Sequence, residues 1–203
     1  MLRVYYGELS AVPDQPDGLP LSAYRLRQLS SCRSDLRRRQ GIGAELLLIR
    51  ALKTLDLDLC LPLVLTSDQS GKPFLSGCDL YFSLSHSGLY AACAVCDRAV
   101  GLDLECRRPL RQAVLRRCFS LAEQNYVKSS PDPDAAFTEL WTRKESYGKA
   151  TGEGLSSLRA ELDLLHPSPV LGIWSRDLGA FHLSVCVPGA EAVPDVFGRL
   201  DLP

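Results

Sequence analysis

The stretch LYAACAVCDRAVGLDLE, residues 89–105, contains two neighbouring strands of different character. Its first part, LYAACAV, is almost entirely apolar, which is typical of a central strand that is buried on both faces. Its second part, VGLDLE, alternates apolar and acidic residues, so Asp103 and Glu105 share one face of a strand and Leu104 lies on the other. These two carboxylates are the first candidates for a functional site.

The pair at Asp103 and Glu105 suggests a cation. Residues two apart in a strand have Cα atoms about 6.6 Å apart, and two like charges at that spacing repel by roughly 2–3 kcal/mol at an effective dielectric near 20. A divalent ion reverses the sign, and oxygen ligands favour Mg²⁺ or Mn²⁺ over zinc. The residues alone leave a second interpretation open, in which one face of the strand is simply solvated.

Bulk properties predict a globular cytoplasmic protein. The chain has 203 residues, of which 46% are hydrophobic, and this is enough to bury a substantial core. A net charge of -1 gives no overall attraction to nucleic acid or to an anionic membrane. The N-terminus lacks a signal-peptide pattern, and no apolar run approaches the roughly 20 residues of a membrane span.

The elements that flank this stretch alternate between helices and strands. The pattern predicts a strand at 2–9, helices from about Ser22 and from near Ser34, and a strand at 79–88. After residue 105 it predicts helices over 115–127 and 137–151 and strands at 158–165, 170–178 and 181–187. This order predicts an α+β protein with two similar halves, residues 1–100 and 101–203, that meet near residue 100.

A third carboxylate comes from the segment WTRKESYGKATG. Trp141, Glu145 and Lys149 are spaced by four and therefore lie on one stripe of a predicted helix, with Lys144 beside Glu145. Taken alone, the segment also fits an ordinary Glu–Lys surface pair next to a core tryptophan.

Ser85 and His86 lie at the end of the strand FSLSHSG, where a following glycine lets a ligand approach the backbone. His86 can contact a phosphate there, or it can be a structural histidine at a turn.

Five motifs in series resemble the 4'-phosphopantetheinyl transferases. They are GKP (71–73), FSLSHSG (82–88), GLDLE (101–105), FSLAE (119–123) and WTRKESYGKATGEGL (141–155). Each motif is weak alone, but their order is specific. The chain is most similar to the Sfp-type class, in which one chain contains two pseudo-symmetric α/β halves with the active site between them.

The resemblance implies a metal site and a reaction. Asp103, Glu105 and Glu145 would hold Mg²⁺ on the diphosphate of coenzyme A, and Mn²⁺ is a possible substitute. Lys149 would neutralise the phosphate oxygens as 3',5'-adenosine bisphosphate leaves. The phosphopantetheine would pass to a serine of an acyl, peptidyl or polyketide carrier protein, with Glu145 as the first candidate base and Glu123 as the second.

The resemblance also implies a coenzyme A site in residues 1–100, with the metal site and the catalytic helix in residues 101–203. Lys72, Ser85 and His86 would bind the phosphates of coenzyme A. Lys144 matches the first basic residue of the Lys-Glu pair in the family, and it would contribute to the same site.

The basic residues that bind the 3'-phosphate have no secure register, and Arg39 is the first candidate among four. The four are Arg33, Arg37, Arg38 and Arg39.

Arginines after the acidic strand, in CRRPLRQAVLRRC, form either a docking face for an acidic carrier protein or a solvated helix surface. By analogy we expect a monomer, because one chain supplies both halves. A rival hypothesis is a metal-dependent hydrolase of a nucleotide pyrophosphate such as coenzyme A, which would use the same three acids with water as the nucleophile.

Overall fold

The structure is a computed structural model that describes residues 1–57, 59–68, 71–154, 161–190 and 193–202. It contains two compact units: Met1–Arg98 with Pro194–Pro203 is unit 1, and Ala99–Val193 is unit 2. Both units combine helices with strands, so the predicted α+β class is confirmed.

Unit 1 is built on a four-stranded sheet with the order β4-β5-β1-β9. Its strands are β1 (Leu2–Glu8), β4 (Tyr81–Ser87), β5 (Tyr90–Cys96) and β9 (Val196–Arg199). β1 and β4 run antiparallel to β5, and β9 runs parallel to β1. Two further strands, β2 (Leu65–Ser67) and β3 (Pro73–Leu75), form a separate antiparallel hairpin.

The helices of unit 1 are α1 (Ala23–Ser30) and α2 (Asp35–Lys53), which begin after the N-caps Ser22 and Ser34, as predicted. From Gln40 to Leu52, every residue of α2 except Arg50 is buried, and its apolar side chains share one core with residues from β1, β4 and β5. The buried carboxylate of Glu45 on α2 accepts hydrogen bonds from the Ser22 N–H, the Ser22 hydroxyl and Arg25 Nε. These bonds fix the start of α1 to α2.

Unit 2 contains a three-stranded antiparallel sheet with the order β6-β8-β7. The strands are β6 (Gly101–Cys106), β7 (Ile173–Asp177) and β8 (Phe181–Cys186). The helices are α3 (Gln112–Cys118), α4 (Leu121–Ser129) and α5 (Pro133–Thr151). A core that contains Phe119, Phe137 and Leu140 joins α3, α4 and α5.

Gly101 lets α5 lie directly on β6. A Cβ atom at this position would be 1.9 Å from the Ser146 carbonyl oxygen and 2.4 Å from the Ala150 backbone nitrogen. Because both neighbours are backbone atoms of α5, any side chain would push the helix away from the strand. Gly101 and Asp103 have the same parity in β6, so Asp103 faces the helix that carries Glu145.

The structure differs from the predicted elements at four places. The hairpin of β2 and β3 was not predicted. The helical pattern of 115–127 is two helices, because Ser120 caps α4 and ends the run. Residues 161–165 of the predicted strand 158–165 are not a strand, and the remainder lies outside the described residues. β9 was not predicted, and its pairing with β1 places the C-terminal segment in unit 1 rather than with residues 101–193. The pseudo-symmetry of the halves stays a prediction.

In the described part of the chain, no helix has the length and apolar character needed to cross a membrane.

Candidate active site

Asp103 and Glu105 lie on the face of β6 that packs against α5. Asp103 is buried and Glu105 is partly exposed. The register of the sheet places Asp103 opposite Ser184 and Glu105 opposite His182. The predicted sharing of one face by the two acids is therefore confirmed by the strand geometry.

Each of these carboxylates is close to a cation. Lys149 Nζ lies 2.7 Å from Asp103 Oδ1 and donates a second hydrogen bond, of 3.0 Å, to the Leu102 carbonyl oxygen. Arg108 Nη2 lies 2.8 Å from Glu105 Oε2. The lysine and the arginine offset the repulsion that two neighbouring carboxylates would otherwise produce.

Glu145 lies on α5, close enough to the same two acids for their charges to affect its pKa. Burial, which is the largest cause, and the negative charges of Asp103 and Glu105 together raise the pKa of Glu145 to about 7, while Lys149 opposes them. Charges act on a pKa in this way only over a few ångströms. The structure thus brings together Asp103, Glu105, Glu145 and Lys149, which the sequence predicted as one site.

The three carboxylates fit a hard divalent cation in the chemistry of their donors. All are oxygen ligands, which Mg²⁺ and Mn²⁺ prefer, and the three carboxylates outnumber their two neighbouring cations, Lys149 and Arg108. Within the ranges that the structure describes, however, no group of three or more acidic, histidine or cysteine side chains is arranged to hold a metal ion as it stands. The ion pairs of Lys149 and Arg108 occupy part of this donor set.

Glu123 and Lys144 lie elsewhere in unit 2, as a fully buried ion pair. Lys144 Nζ is 3.0 Å from Glu123 Oε2, and both side chains are 0% exposed. Lys144 also donates to the Leu162 carbonyl oxygen. Glu123 accepts from the Ser120 N–H in a capping box and from the Leu164 N–H. Both carboxylate oxygens are therefore engaged, and the surroundings favour a structural role for this pair over the predicted roles in catalysis and coenzyme binding.

The predicted phosphate-binding residues are in unit 1, on separate elements. Lys72 lies in the β2–β3 hairpin, where its N–H donates to Asp68 Oδ1 over 2.9 Å. Ser85 is buried and His86 is exposed, and because they are adjacent in β4 they point to opposite faces of the sheet.

Arg39 lies on α2 close to the turn that follows His86. The next residue, Gln40, donates from Nε2 to the Gly88 carbonyl oxygen over 2.9 Å and so joins α2 to the β4–β5 turn. Arg39 Nε is buried and has no acceptor among the described residues. By contrast, Arg38 is engaged with Asp14, Cys32 and Asp35. Arg39 therefore has a side-chain donor left for an anion, whereas the donors of Arg38 are engaged.

Comparison with known proteins assigns the chain to a family. The family model ACPS, described as the 4'-phosphopantetheinyl transferase superfamily, matches residues 99–182. The chain is 30% identical over 195 residues to the 4'-phosphopantetheinyl transferase AcpT of Salmonella typhimurium, with 93% of each chain covered. The chain belongs to the 4'-phosphopantetheinyl transferase superfamily. The resemblance inferred from the sequence is thereby confirmed.

Other phosphopantetheinyl transferases match a shorter part of the chain. The chain is 37% identical over 89 residues to a 4'-phosphopantetheinyl transferase of Bacillus subtilis, which is 42% of this chain and 40% of that protein. It is 33% identical over 94 residues to the 4'-phosphopantetheinyl transferase Sfp of Bacillus subtilis strain 168, which is 45% of this chain and 42% of that protein. The matched part of the chain thus spans about two fifths of the length of these two relatives.

The arginines that directly follow β6, in CRRPLRQAVLRRC, are all exposed, and two of them form ion pairs. Arg107 bridges Asp132 and Asp177, and Arg108 pairs with Glu105. The other exposed arginines are Arg111, Arg116 and Arg117 around α3.

A cavity of about 270 Å³ in unit 2 does not coincide with the acidic site. Its lining includes Glu139, Arg143, Ser175 and His182. None of the predicted metal ligands is among the described residues that line it. Burial lowers the pKa of His182. We place the candidate site at Asp103, Glu105 and Glu145 rather than at this cavity, because the charges of these groups act on one another.

Two features of the site were not predicted from the sequence. Gly101 sets the approach of α5 to β6, and a glycine inside an alternating strand is a recognisable sign of a close backbone approach. The hydroxyl groups of Thr142 and Ser184, the residue opposite Asp103 in the sheet, are 2.8 Å apart. No local pattern joins residues so far apart in sequence.

Proposed function

We propose that this protein transfers the 4'-phosphopantetheine group from coenzyme A to a serine of a carrier protein and releases 3',5'-adenosine bisphosphate. The observation that carries the proposal is the convergence of Glu145 and Lys149 of α5 on Asp103 and Glu105 of β6. Membership of the superfamily supports it, since a 30% identity extends over nearly the whole chain.

Asp103, Glu105 and Glu145 are the residues that we propose to hold Mg²⁺, with Mn²⁺ as a substitute. When bound there, the ion neutralises negative charge on the diphosphate of coenzyme A. The carboxylates contribute three negative charges at one edge of the sheet, and Lys149 contributes a positive one. Lys149 would stabilise the charge that develops on the departing bisphosphate.

Glu145 is the base that we propose for the serine proton. In the metal-free protein, burial and the neighbouring acids raise the pKa of Glu145 to about 7, so its surroundings favour the protonated form that accepting the serine proton produces. As the serine oxygen forms its bond to phosphorus, the bond from phosphorus to the bisphosphate oxygen breaks and the proton passes to Glu145. Glu123 is less suited, because it is fully buried and both of its oxygens accept hydrogen bonds.

Coenzyme A binding is proposed for Arg39, Lys72, Ser85 and His86. The buried Nε of Arg39 and the exposed imidazole of His86 support binding of phosphate groups. Lys144 is left out of this set because its ammonium group is buried against Glu123.

The proposed partner is an acyl, peptidyl or polyketide carrier protein. The exposed arginines around α3 would attract the acidic surface of such a carrier, and attraction of this kind mainly raises the rate of association. The monomeric state expected from the sequence stays a prediction.

Mass spectrometry of several apo carrier proteins tests the function. Each carrier is incubated with the protein, coenzyme A and Mg²⁺, and we expect the mass of phosphopantetheine to be added to the carrier serine. A Ser→Ala carrier is the control and should gain nothing. Release of 3',5'-adenosine bisphosphate without any carrier would instead indicate hydrolysis and would reject the transferase assignment.

A further inference from the structure

A chain of side-chain hydrogen bonds crosses unit 2 between α5 and the sheet. Arg143 Nε donates to Ser175 Oγ at 3.2 Å, Ser175 Oγ is 2.9 Å from Ser184 Oγ, and Ser184 Oγ is 2.8 Å from Thr142 Oγ1. Thr142 Oγ1 then donates to the Glu139 carbonyl oxygen at 2.8 Å. The path leaves α5 at Arg143, crosses β7 and β8, and returns to α5 at Thr142.

Proton counting gives this chain a single direction. Each hydroxyl has one hydrogen to donate. Thr142 gives its hydrogen to the Glu139 carbonyl oxygen, so the hydrogen between Ser184 and Thr142 must come from Ser184. By the same argument, Ser175 donates to Ser184 and accepts from Arg143. Aligned bonds of this kind strengthen one another, and they resist a rotation that would break any one of them.

The chain lies next to the acidic site. Ser184 is directly opposite Asp103 in the register of β6 and β8, and the two residues face α5 together. Thr142 precedes Glu145 by three residues, so the two side chains are neighbours on the helix surface. Thr142 and Ser184 are both 0% exposed, which makes a lost bond costly.

Two contacts of different kinds therefore flank Glu145. On its C-terminal side, Gly101 lets Ser146 and Ala150 reach β6 and fixes how closely the helix approaches the strand. This backbone contact does not restrain rotation of the helix about its own axis. The hydroxyl contact of Thr142 with Ser184 adds a directional restraint on the other side of Glu145, besides the ion pairs of Lys144 and Lys149.

We propose that the hydroxyl chain formed by Ser175, Ser184 and Thr142 is a positioning device that fixes the rotation of α5 and holds Glu145 toward Asp103. The inference rests on the proposed function, because it assigns these residues a role in the same acidic site. None of the three touches substrate in this assignment, so they are positioning residues and act through Glu145.

Thr142→Val tests this role, with Thr138→Val as the matched control. Both threonines are buried on α5 and donate to a carbonyl oxygen of the same helix, but Thr138 donates to Asp134 at its N-terminal end, away from Glu145. Each variant is measured for Mn²⁺ affinity by electron paramagnetic resonance without substrate, for kcat and KM, and for Tm.

We expect Thr142→Val to lower both Mn²⁺ affinity and kcat by about tenfold, as the loss of residues that orient metal ligands does. The KM for coenzyme A should stay within about twofold. Thr138→Val should lower Tm by about as much as Thr142→Val does, but it should leave Mn²⁺ affinity and kcat unchanged. Thr142→Ser keeps the hydroxyl and should restore both to within about twofold. Ser184→Ala, which breaks the same bond from the strand, should match Thr142→Val and replaces it where that variant does not fold.

Equal losses in Thr142→Val and Thr138→Val would overturn the inference, as would a Thr142→Ser variant as impaired as Thr142→Val. A wild-type protein that binds Mn²⁺ but transfers no phosphopantetheine would reject the proposed function alone, and the Mn²⁺ affinities of the variants would still decide the inference. A wild-type protein that neither binds Mn²⁺ nor transfers would overturn both.

Discussion

Helix α5 contributes a lysine to each of two ion pairs in unit 2, and the pairs differ in their surroundings. The Lys144–Glu123 pair has an N···O distance of 3.0 Å and both side chains are 0% exposed. The Lys149–Asp103 pair has a distance of 2.7 Å, with side-chain exposures of 31% and 7%. The two lysines are five residues apart and therefore point about 140° from each other around the helix axis.

This difference distinguishes a structural ion pair from an ion pair of the candidate site, although both lysines belong to one helix. Around Lys144, the carboxylate of Glu123 also caps α4 and accepts from Leu164, so the pair joins three segments of the core. Around Lys149, the lysine can exchange its partner for a ligand because water reaches it. A lysine–carboxylate pair thus holds the fold in one place and belongs to the candidate site in the other.

The largest expected effect comes from breaking the buried pair. Lys144→Met leaves the charge of Glu123 buried without its cation, and we expect the free energy of unfolding to fall by about 3–5 kcal/mol. Urea denaturation followed by circular dichroism measures this loss. Lys128→Met, at an exposed lysine of α4, is the control and should change stability by less than about 0.5 kcal/mol. A loss of under about 1 kcal/mol for Lys144→Met would mean that the pair is not structural.

Glu145→Gln should produce the largest loss of activity. It removes the proposed base and a charged metal ligand while keeping the shape of the side chain, so we expect turnover to fall by about 100-fold or more. Transfer of phosphopantetheine to an apo carrier, followed by mass spectrometry, measures it. Glu153→Gln removes the same charge from an exposed position just beyond α5 and should retain wild-type turnover. Near-normal turnover in Glu145→Gln would remove this residue from the mechanism.

The order of motifs was sufficient to predict that the acidic residues of β6 and Glu145 of α5 lie close together, but not the surroundings of every residue in the predicted site. Alternation predicts that Asp103 and Glu105 share a face, and helical spacing predicts that Glu145 and Lys149 do. Lys144 has the same local pattern as a surface lysine, and only its tertiary contact with Glu123 shows that it is buried. Local sequence cannot give such a contact, because it depends on how α4 packs against α5.

Of the structural features that were not predicted, the break between α3 and α4 has a local sequence signal and the strand β9 has none. The sequence SLAE, from Ser120 to Glu123, has the spacing of a capping box and marks the break between α3 and α4. The parallel pairing of β9 with β1 joins residues that are almost the whole chain apart, and β9 has only four residues. Its placement depends on a long-range contact that periodicity does not encode.

The raised pKa of Glu145 predicts a pH-dependent stability. Burial and the neighbouring acids raise the pKa to about 7, from 4.5. Between these values the folded protein keeps a proton that the unfolded chain releases. Metal-free protein therefore loses stability as pH rises through this window, and the contribution is lost above about pH 7. We expect Glu145→Gln to be about 2 kcal/mol more stable than wild type at pH 8, after a discount for partial exposure, and equally stable near pH 4.5.

Urea denaturation in EDTA at both pH values measures this difference. Mg²⁺ added at pH 8 should stabilise the wild type and leave Glu145→Gln almost unchanged, because ligands stabilise the state that binds them. A wild-type stability that rises between pH 5 and 8 relative to Glu145→Gln would show that Glu145 is not in the acidic environment described.

The smallest expected effect comes from the open pair. Lys149→Ala removes one positive charge beside the proposed phosphate position, and we expect turnover to fall by about tenfold, equivalent to about 1.4 kcal/mol of barrier. The free energy of unfolding in Mg²⁺ should fall by about 1 kcal/mol or less, because the lysine is partly exposed. Lys53→Ala, in the last turn of α2, is the control for an exposed helix-end lysine. Steady-state kinetics and urea denaturation on the same samples separate the two effects. If Lys149→Ala lost as much stability as Lys144→Met and kept its turnover, both lysines would be structural and the contrast between the two pairs would fail.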